Sequence, residues 1–181
     1  LTSLPQGLHI GENLHLDNCT KLTSLPQGLH VRGSLNLRHC TGLTTLPQGL
    51  HVGGNLDLYG CTNLTSLTQD LHVGGSLHLS GCTSLTSLPQ GLHVGGSLSL
   101  DNCTNLTPLP QGLHVVGNLD LYGCTSLREL PDWVFNVSDL FNVPHPLQQT
   151  DTYKIFQILK HFDTHNTIND INIQELIGFY N

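Results

Sequence analysis

Charge is scarce in this chain. Of 181 residues, 6 are Lys or Arg and 13 are Asp or Glu, so charged residues make up 10% and the net charge is −7 with histidine neutral. Phosphate contacts need clustered Lys and Arg, which argues against nucleic acid as a partner. Long apolar runs are also missing: nothing approaches the roughly 18 residues of a membrane-spanning helix. Helical periodicity is absent before residue 150. Within the chain no nucleophile, base and oxyanion group stand apart from the general pattern, so the expectation is a protein without catalytic activity and without a cofactor or metal. Met is absent, and the sequence opens directly inside the repeat array at Leu1. Both facts lead us to expect a piece of a longer protein.

What is present is a repeat. A 21-residue unit recurs six times, starting at Leu1, Leu22, Leu43, Leu64, Leu85 and Leu106, and a partial seventh, LRELPDWVFNV, runs from Leu127 to Val137. A fixed period of this length, with Leu at fixed offsets, marks a solenoid of stacked coils, which offers a long repeated surface rather than a pocket. Positions 1, 4, 8, 14 and 16 of the unit are Leu in all six copies, position 10 is Ile or Val, and position 19 is Cys. That predicts seven inward side chains per coil, each of the aliphatics contributing roughly 1.5–3 kcal/mol when buried. One coil has no second layer to bury them against, so only a stack is stable.

The segment at positions 13 to 17, as in Asn55-Leu56-Asp57-Leu58-Tyr59, alternates between inward Leu and outward neighbours, the period-two mark of a strand. Stacked copies predict a parallel sheet, and Leu50-His51-Val52 predicts a second short strand elsewhere on the coil. Gly at positions 7 and 12 supplies turns, Pro at position 5 fixes a bend, and the Thr at position 20 bonds local backbone. Cys19, Cys40, Cys61, Cys82, Cys103 and Cys124 all occupy one slot. Stacking sets them in file about 4.8 Å apart, as a ladder of buried free thiols rather than a disulfide framework. Reduced thiols in turn suggest a reducing compartment, or burial deep enough to make them inert.

The strings LDLYGCTNLTSLTQDL (Leu56 to Leu71, with Thr68-Gln69-Asp70 where other copies have Pro-Gln-Gly) and LSLDNCTNLTPLPQGL (Leu98 to Leu113) resemble leucine-rich repeats of the L-x-L-x-x-[N/C]-x-x-L-x-x-L-P form, found in bacterial effectors and surface proteins and in plant immune receptors. The resemblance covers residues 1–137. Two departures stand out: a Gly such as Gly53 or Gly74 replaces the Leu expected before the L-x-L pair, and a strand takes the place of the helix of longer families. The fold class expected is therefore a β-rich leucine-rich-repeat solenoid with short coils, a parallel sheet and weak curvature, followed by a small helical C-terminal segment. The resemblance implies protein recognition through the exposed side of the sheet.

Differences between copies are more informative than their sameness. Position 15 reads His15, Asn36, Asp57, His78, Ser99 and Asp120, and position 17 reads Asp17, Arg38, Tyr59, Ser80, Asp101 and Tyr122. All twelve are expected to point outward and to bind the partner, with the tyrosines as contact anchors beside acidic residues. Position 9 is always His: His9, His30, His51, His72, His93 and His114. These are expected to form an outward stacking column rather than a zinc site, which wants four converging ligands. Charging neighbouring imidazoles costs about 1 kcal/mol per pair even in water, so acid should destabilise the column. Files of Thr at positions 2 and 20 resemble the ice-binding ladders of some antifreeze proteins, but they flank a turn and break at Arg128, which disfavours that use.

After Leu130-Pro131 the repeat decays, and Trp133 and Phe135 are expected to form a lid over the last coil. Residues 138–150 read as a linker loop containing Pro144 and Pro146. Residues 151–181 read as a helical hairpin or cap: a first helix begins at Thr150 or Asp151 with Tyr153, Ile155, Phe156, Leu159 and Phe162 on its apolar face, and a second spans 173–179. Phe162 to Leu176 resembles a calcium-binding EF-hand, with Asp163 first and Glu175 last, yet the loop is one residue too long, lacks the turn Gly and has too few carboxylates. A plain hairpin is the expectation.

Together these readings predict a non-enzymatic module that binds a protein partner, within a bacterial effector delivered into the host cytoplasm. One alternative is a bacterial surface or adhesion protein binding glycan or matrix. Another is the substrate-recognition part of a longer enzyme such as a ubiquitin ligase. The uncapped apolar face of the first coil is expected to favour self-association.

Overall fold

Each repeat closes into one coil with two short strands, because only positions 9–10 and 14–15 run extended against the neighbouring coil. The computed structural model describes residues 1–137 and 140–163. The first strands of the six coils are β1 (His9–Ile10), β3 (His30–Val31), β5 (His51–Val52), β7 (His72–Val73), β9 (His93–Val94) and β11 (His114–Val115). The second strands are β2 (Leu14–His15), β4 (Leu35–Asn36), β6 (Leu56–Asp57), β8 (Leu77–His78), β10 (Leu98–Ser99) and β12 (Leu119–Asp120). The odd-numbered set from β1 to β11 makes a six-stranded sheet, and the even-numbered set makes a seven-stranded sheet completed by β13 (Leu140–Phe141). Pairing is parallel, and like residues face like: His30 opposes His51, and Leu56 opposes Leu77. The protein is a parallel β-solenoid of about six turns with little helix.

The core is one continuous aliphatic cluster. In the second coil all seven expected inward residues are buried: Leu22, Leu25, Leu29, Val31, Leu35, Leu37 and Cys40. The pattern repeats through the sixth coil. An eighth file went unread in the sequence. Pro26, Pro47, Pro89, Pro110 and Pro131 are buried as well, so position 5 packs besides bending the chain. The fourth coil departs from this file with Thr68-Gln69-Asp70. There the Asp70 carboxylate accepts hydrogen bonds from the Thr68 hydroxyl at 2.5 Å and from the Gly49 N–H of the previous coil at 2.7 Å. Those bonds tie the altered turn back to the stack.

A second unforeseen ladder runs along position 13. The side-chain oxygens of Asn13, Ser34, Asn55, Ser76 and Ser97 each accept the N–H of the same position one coil later, at 2.7–3.1 Å. Only a short polar side chain spans that gap. Position 12, beside it, explains its glycine by proximity rather than by turn geometry. A Cβ on Gly75 would stand 2.3 Å from Asn55 Oδ1 and 2.9 Å from the Gly54 carbonyl carbon. In the first coil, where no coil lies beneath in the structure, the same slot holds the exposed Glu12.

The strands are shorter than the alternation suggests. Position 17 lies in the turn that follows the strand, and position 18 adopts left-handed backbone, as at Gly60 (φ 70°) and Asn102 (φ 58°). Glycine or asparagine tolerates that conformation best, which is why one of the two fills the slot in five of six copies.

At the C-terminal end, a 3-10 helix (Asp132–Asn136) follows Pro131. Trp133 lies half-buried there and donates its indole N–H to the Pro110 carbonyl at 2.8 Å, while Val134 is fully buried. The linker expectation for 138–150 needs correction. Leu140 stands 21 residues after Leu119, and β13 pairs with β12 in the repeat's own register, so the seventh coil also contributes a strand. Helix α1 (His145–Gln148) and helix α2 (Asp151–Asp163) follow. Thr150 caps α2 by accepting the Tyr153 N–H at 3.3 Å; Ile155 and Phe156 are buried, Phe156 as part of the core cluster of the stack. The expected second helix at 173–179 and most of the EF-hand-like stretch lie outside the described residues. At the other end Leu1 is 60% exposed, and Leu4, Leu8, Ile10 and Leu14 are partly covered.

Close approach at position 12 generates a test. Gly75→Ala should cost about 1–3 kcal/mol, the range for overpacking a tight site. Glu12→Ala in the equivalent slot should change stability by less than about 0.5 kcal/mol. Urea unfolding of the two variants beside the parent measures both.

Candidate functional site

Outward positions 15 and 17 of the seven-stranded sheet carry the chemistry that differs between coils. Sequence analysis places twelve residues there, and the structure sorts them. His15, Asp17, Arg38, Tyr59 and Tyr122 are exposed, while Asn36, Asp57, His78, Ser99, Asp101 and Asp120 are half-buried. Ser80 departs from the expectation of an exposed contact. It is buried because its hydroxyl donates to Asp101 Oδ2 at 2.7 Å.

Two groups form. In the first, Arg38 pairs with Asp57 at 3.5 Å and lies over the Tyr59 ring, 4.9 Å from its centroid, while His39 meets the same ring edge-on at 5.1 Å. The Asp57 carboxylate also accepts the Tyr59 backbone N–H at 3.0 Å, holding the aromatic residue in place. In the second, Asp120 accepts the Tyr122 N–H at 3.1 Å, and both its oxygens accept Asn142 Nδ2 at 3.0 Å. Burial pushes the Asp101 carboxyl up, the Ser80 hydroxyl pulls it down, and the neighbouring Asp120 adds to the rise. His15, Asp17, Asn36, His78 and Ser99 share the face without entering either aromatic group.

One member of this surface was missed. Phe141 opposes Asp120 in β13, extends the position-15 row to a seventh coil, and is 43% exposed. The signal was its spacing of 21 from Asp120, hidden because the flanking residues no longer match the repeat.

On the six-stranded sheet the histidines stand in file. His30, His51 and His72 stack face to face with centroids 4.4 and 4.5 Å apart, and His93 stacks on His114 at 4.7 Å. His9 meets His30 edge-on at 6.2 Å. Parallel rings direct their lone pairs side by side rather than toward a common point. Burial, then the charges of His72 and His30, hold the His51 imidazole below its ordinary value.

No protein-family model, curated protein or solved structure matches this chain. The kind of repeat protein is therefore argued from its own residues. Its geometry is that of a 21-residue-period parallel β-solenoid with a regular pair of strands per coil. No described helix is long and apolar enough to cross a membrane. Among the described residues, no group of three or more His, Cys, Asp and Glu is arranged to hold a metal ion.

The thiols form the ladder expected of them. All six cysteines are free, and five are buried. Cys40, Cys61, Cys82, Cys103 and Cys124 each donate to the position-16 carbonyl of the previous coil at 3.0–3.2 Å. Burial pushes Cys61, Cys82 and Cys124 up to about 12. Cys40 and Cys103 rise for the same leading reason. A thiol that stays protonated is a poor nucleophile.

Two outcomes follow. Native protein treated with iodoacetamide at pH 8 should take one label, at the half-buried Cys19, and six in denaturant; intact-mass spectrometry counts them. For the His column, the folded state disfavours protonated His51, whereas the unfolded chain takes its proton near pH 6.5. Stability is therefore full above about pH 6.5 and falls as the pH drops below it. The melting temperature should decrease from pH 7 to pH 5, and His51→Asn should lessen that decrease.

Proposed function

We propose that this chain is a non-enzymatic interaction module of the leucine-rich-repeat type, part of a bacterial effector, that binds a protein through the outward face of the seven-stranded sheet. One observation carries the reading. Coils that are nearly identical at inward and turn positions diverge at positions 15 and 17, and the divergent residues gather into charged and aromatic groups, Arg38 with Asp57 and Tyr59, and Asp120 with Tyr122. Aromatic residues flanked by charge are the usual carriers of binding energy. The His column, in contrast, is the same in every coil and offers a repeating texture rather than an address. The leucine-rich-repeat assignment draws on the L-x-L strings and on the sheet they build. The effector assignment draws on that resemblance and on six cysteines that form no disulfide.

The test is a pull-down from eukaryotic cell lysate with the parent chain and with a variant in which Asp57, Tyr59, Asp120 and Tyr122 are all changed to Ala, after matching their melting curves. A protein held by the parent and retained at least about tenfold less by the variant is the expected result. Equal retention would move the site to the His face or the C-terminal helices. No capture by either would favour a surface protein that binds glycan or matrix.

A further inference from the structure

The eight residues Asn55 to Thr62 in the third coil recur letter for letter as Asn118 to Thr125 in the sixth. Both copies fold alike: the Asp carboxylate accepts the N–H of the Tyr two residues on, at 3.0 Å in one and 3.1 Å in the other. The preceding coil is what differs. Before Tyr59, position 17 holds Arg38, whose guanidinium covers the ring and pairs with Asp57. Before Tyr122, the same position holds Asp101.

The third coil thus supplies its own cation, and the sixth presents the matching pieces without one. Asp101 Oδ2 receives the Ser80 hydroxyl, while Asp101 Oδ1 is buried with no donor among the described residues and the Asp120 carboxyl as its neighbour. Asp120 accepts the Tyr122 N–H and the Asn142 amide, both neutral donors, and lies against Asp101. His78 is the titratable base facing Asp101 from the coil before. Tyr122 is 59% exposed against 40% for Tyr59, and Phe141 stands exposed in the neighbouring strand.

We propose that the sixth coil is a seat for an arginine side chain of the partner protein, its guanidinium over Tyr122 and paired with Asp120 beside Asp101, in the manner of Arg38 with Tyr59 and Asp57 in the third coil. Two carboxylates beside an aromatic face suit a planar, forked cation better than a point charge, and the net charge of −7 draws cationic partners. The proposal rests on the reading of this sheet as the binding face and names the chemistry that face selects.

The decisive experiment exchanges the two coils' neighbours. The probe is acetyl-Gly-Gly-Arg-Gly-Gly-amide, with its citrulline counterpart as the uncharged control, titrated into isotope-labelled protein while backbone amide signals are followed. The parent should show saturable shifts at Tyr122 and Gly123, and citrulline should bind at least about tenfold more weakly. Asp101→Arg should abolish the shifts by filling the seat from within. Arg38→Asp should create a second seat, with new shifts at Tyr59 and Gly60. Should Asp101→Arg melt below the parent, Asp101→Ser, which copies the residue type at Ser80, should still weaken binding at least about fivefold. Equal binding of the citrulline peptide, undiminished binding by the Asp101 variants, or no saturable shift in the parent would overturn the proposal. Sheet-dependent capture without peptide binding would leave the face standing and remove the seat. Peptide binding without a sheet-dependent partner would do the reverse.

Discussion

Every feature of this molecule depends on one coil lying in exact register on the next. A single 21-residue turn has eight side chains to bury and no layer of its own to bury them against. Stacking supplies the layer, and the backbone must come close enough for strand bonds, which the glycine at position 12 permits. The Asn and Ser oxygens at position 13 and the thiols at position 19 then satisfy donors and acceptors that stacking would otherwise strand. Burial and hydrogen bonding therefore share one geometric condition, and a coil displaced by one residue would lose both together.

That condition explains what sequence reasoning could read. Period, inward Leu and Cys files, and both strands per coil were legible because each is imposed identically on six copies. Contacts between copies were less so. Pro26 and its equivalents looked like bend-formers, and only the stack reveals them as packed. Gly75 looked like a turn residue, and only the Cβ position shows a neighbour in the way. The strand at Leu140–Phe141 kept the spacing but lost the surrounding letters, so pattern matching stopped at Val137 while the backbone continued. On the candidate face, outward direction was legible and pairing was not. Ser80 turns into Asp101, and Arg38 settles over Tyr59, through contacts 21 residues apart that no local alternation encodes.

The two faces divide the labour between sameness and difference. The histidine sheet repeats one side chain and gains ring stacking from it. The other sheet holds its inward Leu constant while its outward slots vary, so a scaffold copied six times still presents an irregular surface. A substitution at position 15 or 17 meets only the adjacent coils, which lets binding chemistry change without disturbing the core. Arg38 before one Asp-x-Tyr and Asp101 before its twin show how a single exchange reverses the charge offered beside an unchanged aromatic residue.

The packing of Val134 and Phe156, with the half-buried Trp133, beyond the last coil has a mechanical consequence. Coils exchange contacts only with their immediate neighbours, so the stack behaves as a one-dimensional zipper whose weakest link is a terminal one. The cap closes one terminus of that zipper with aromatic and helical packing, so the sixth coil is held from both sides and opens only when both interfaces break. The outward slots near Tyr122 and Phe141 therefore stand on a coil gripped from two directions, where local opening is costly.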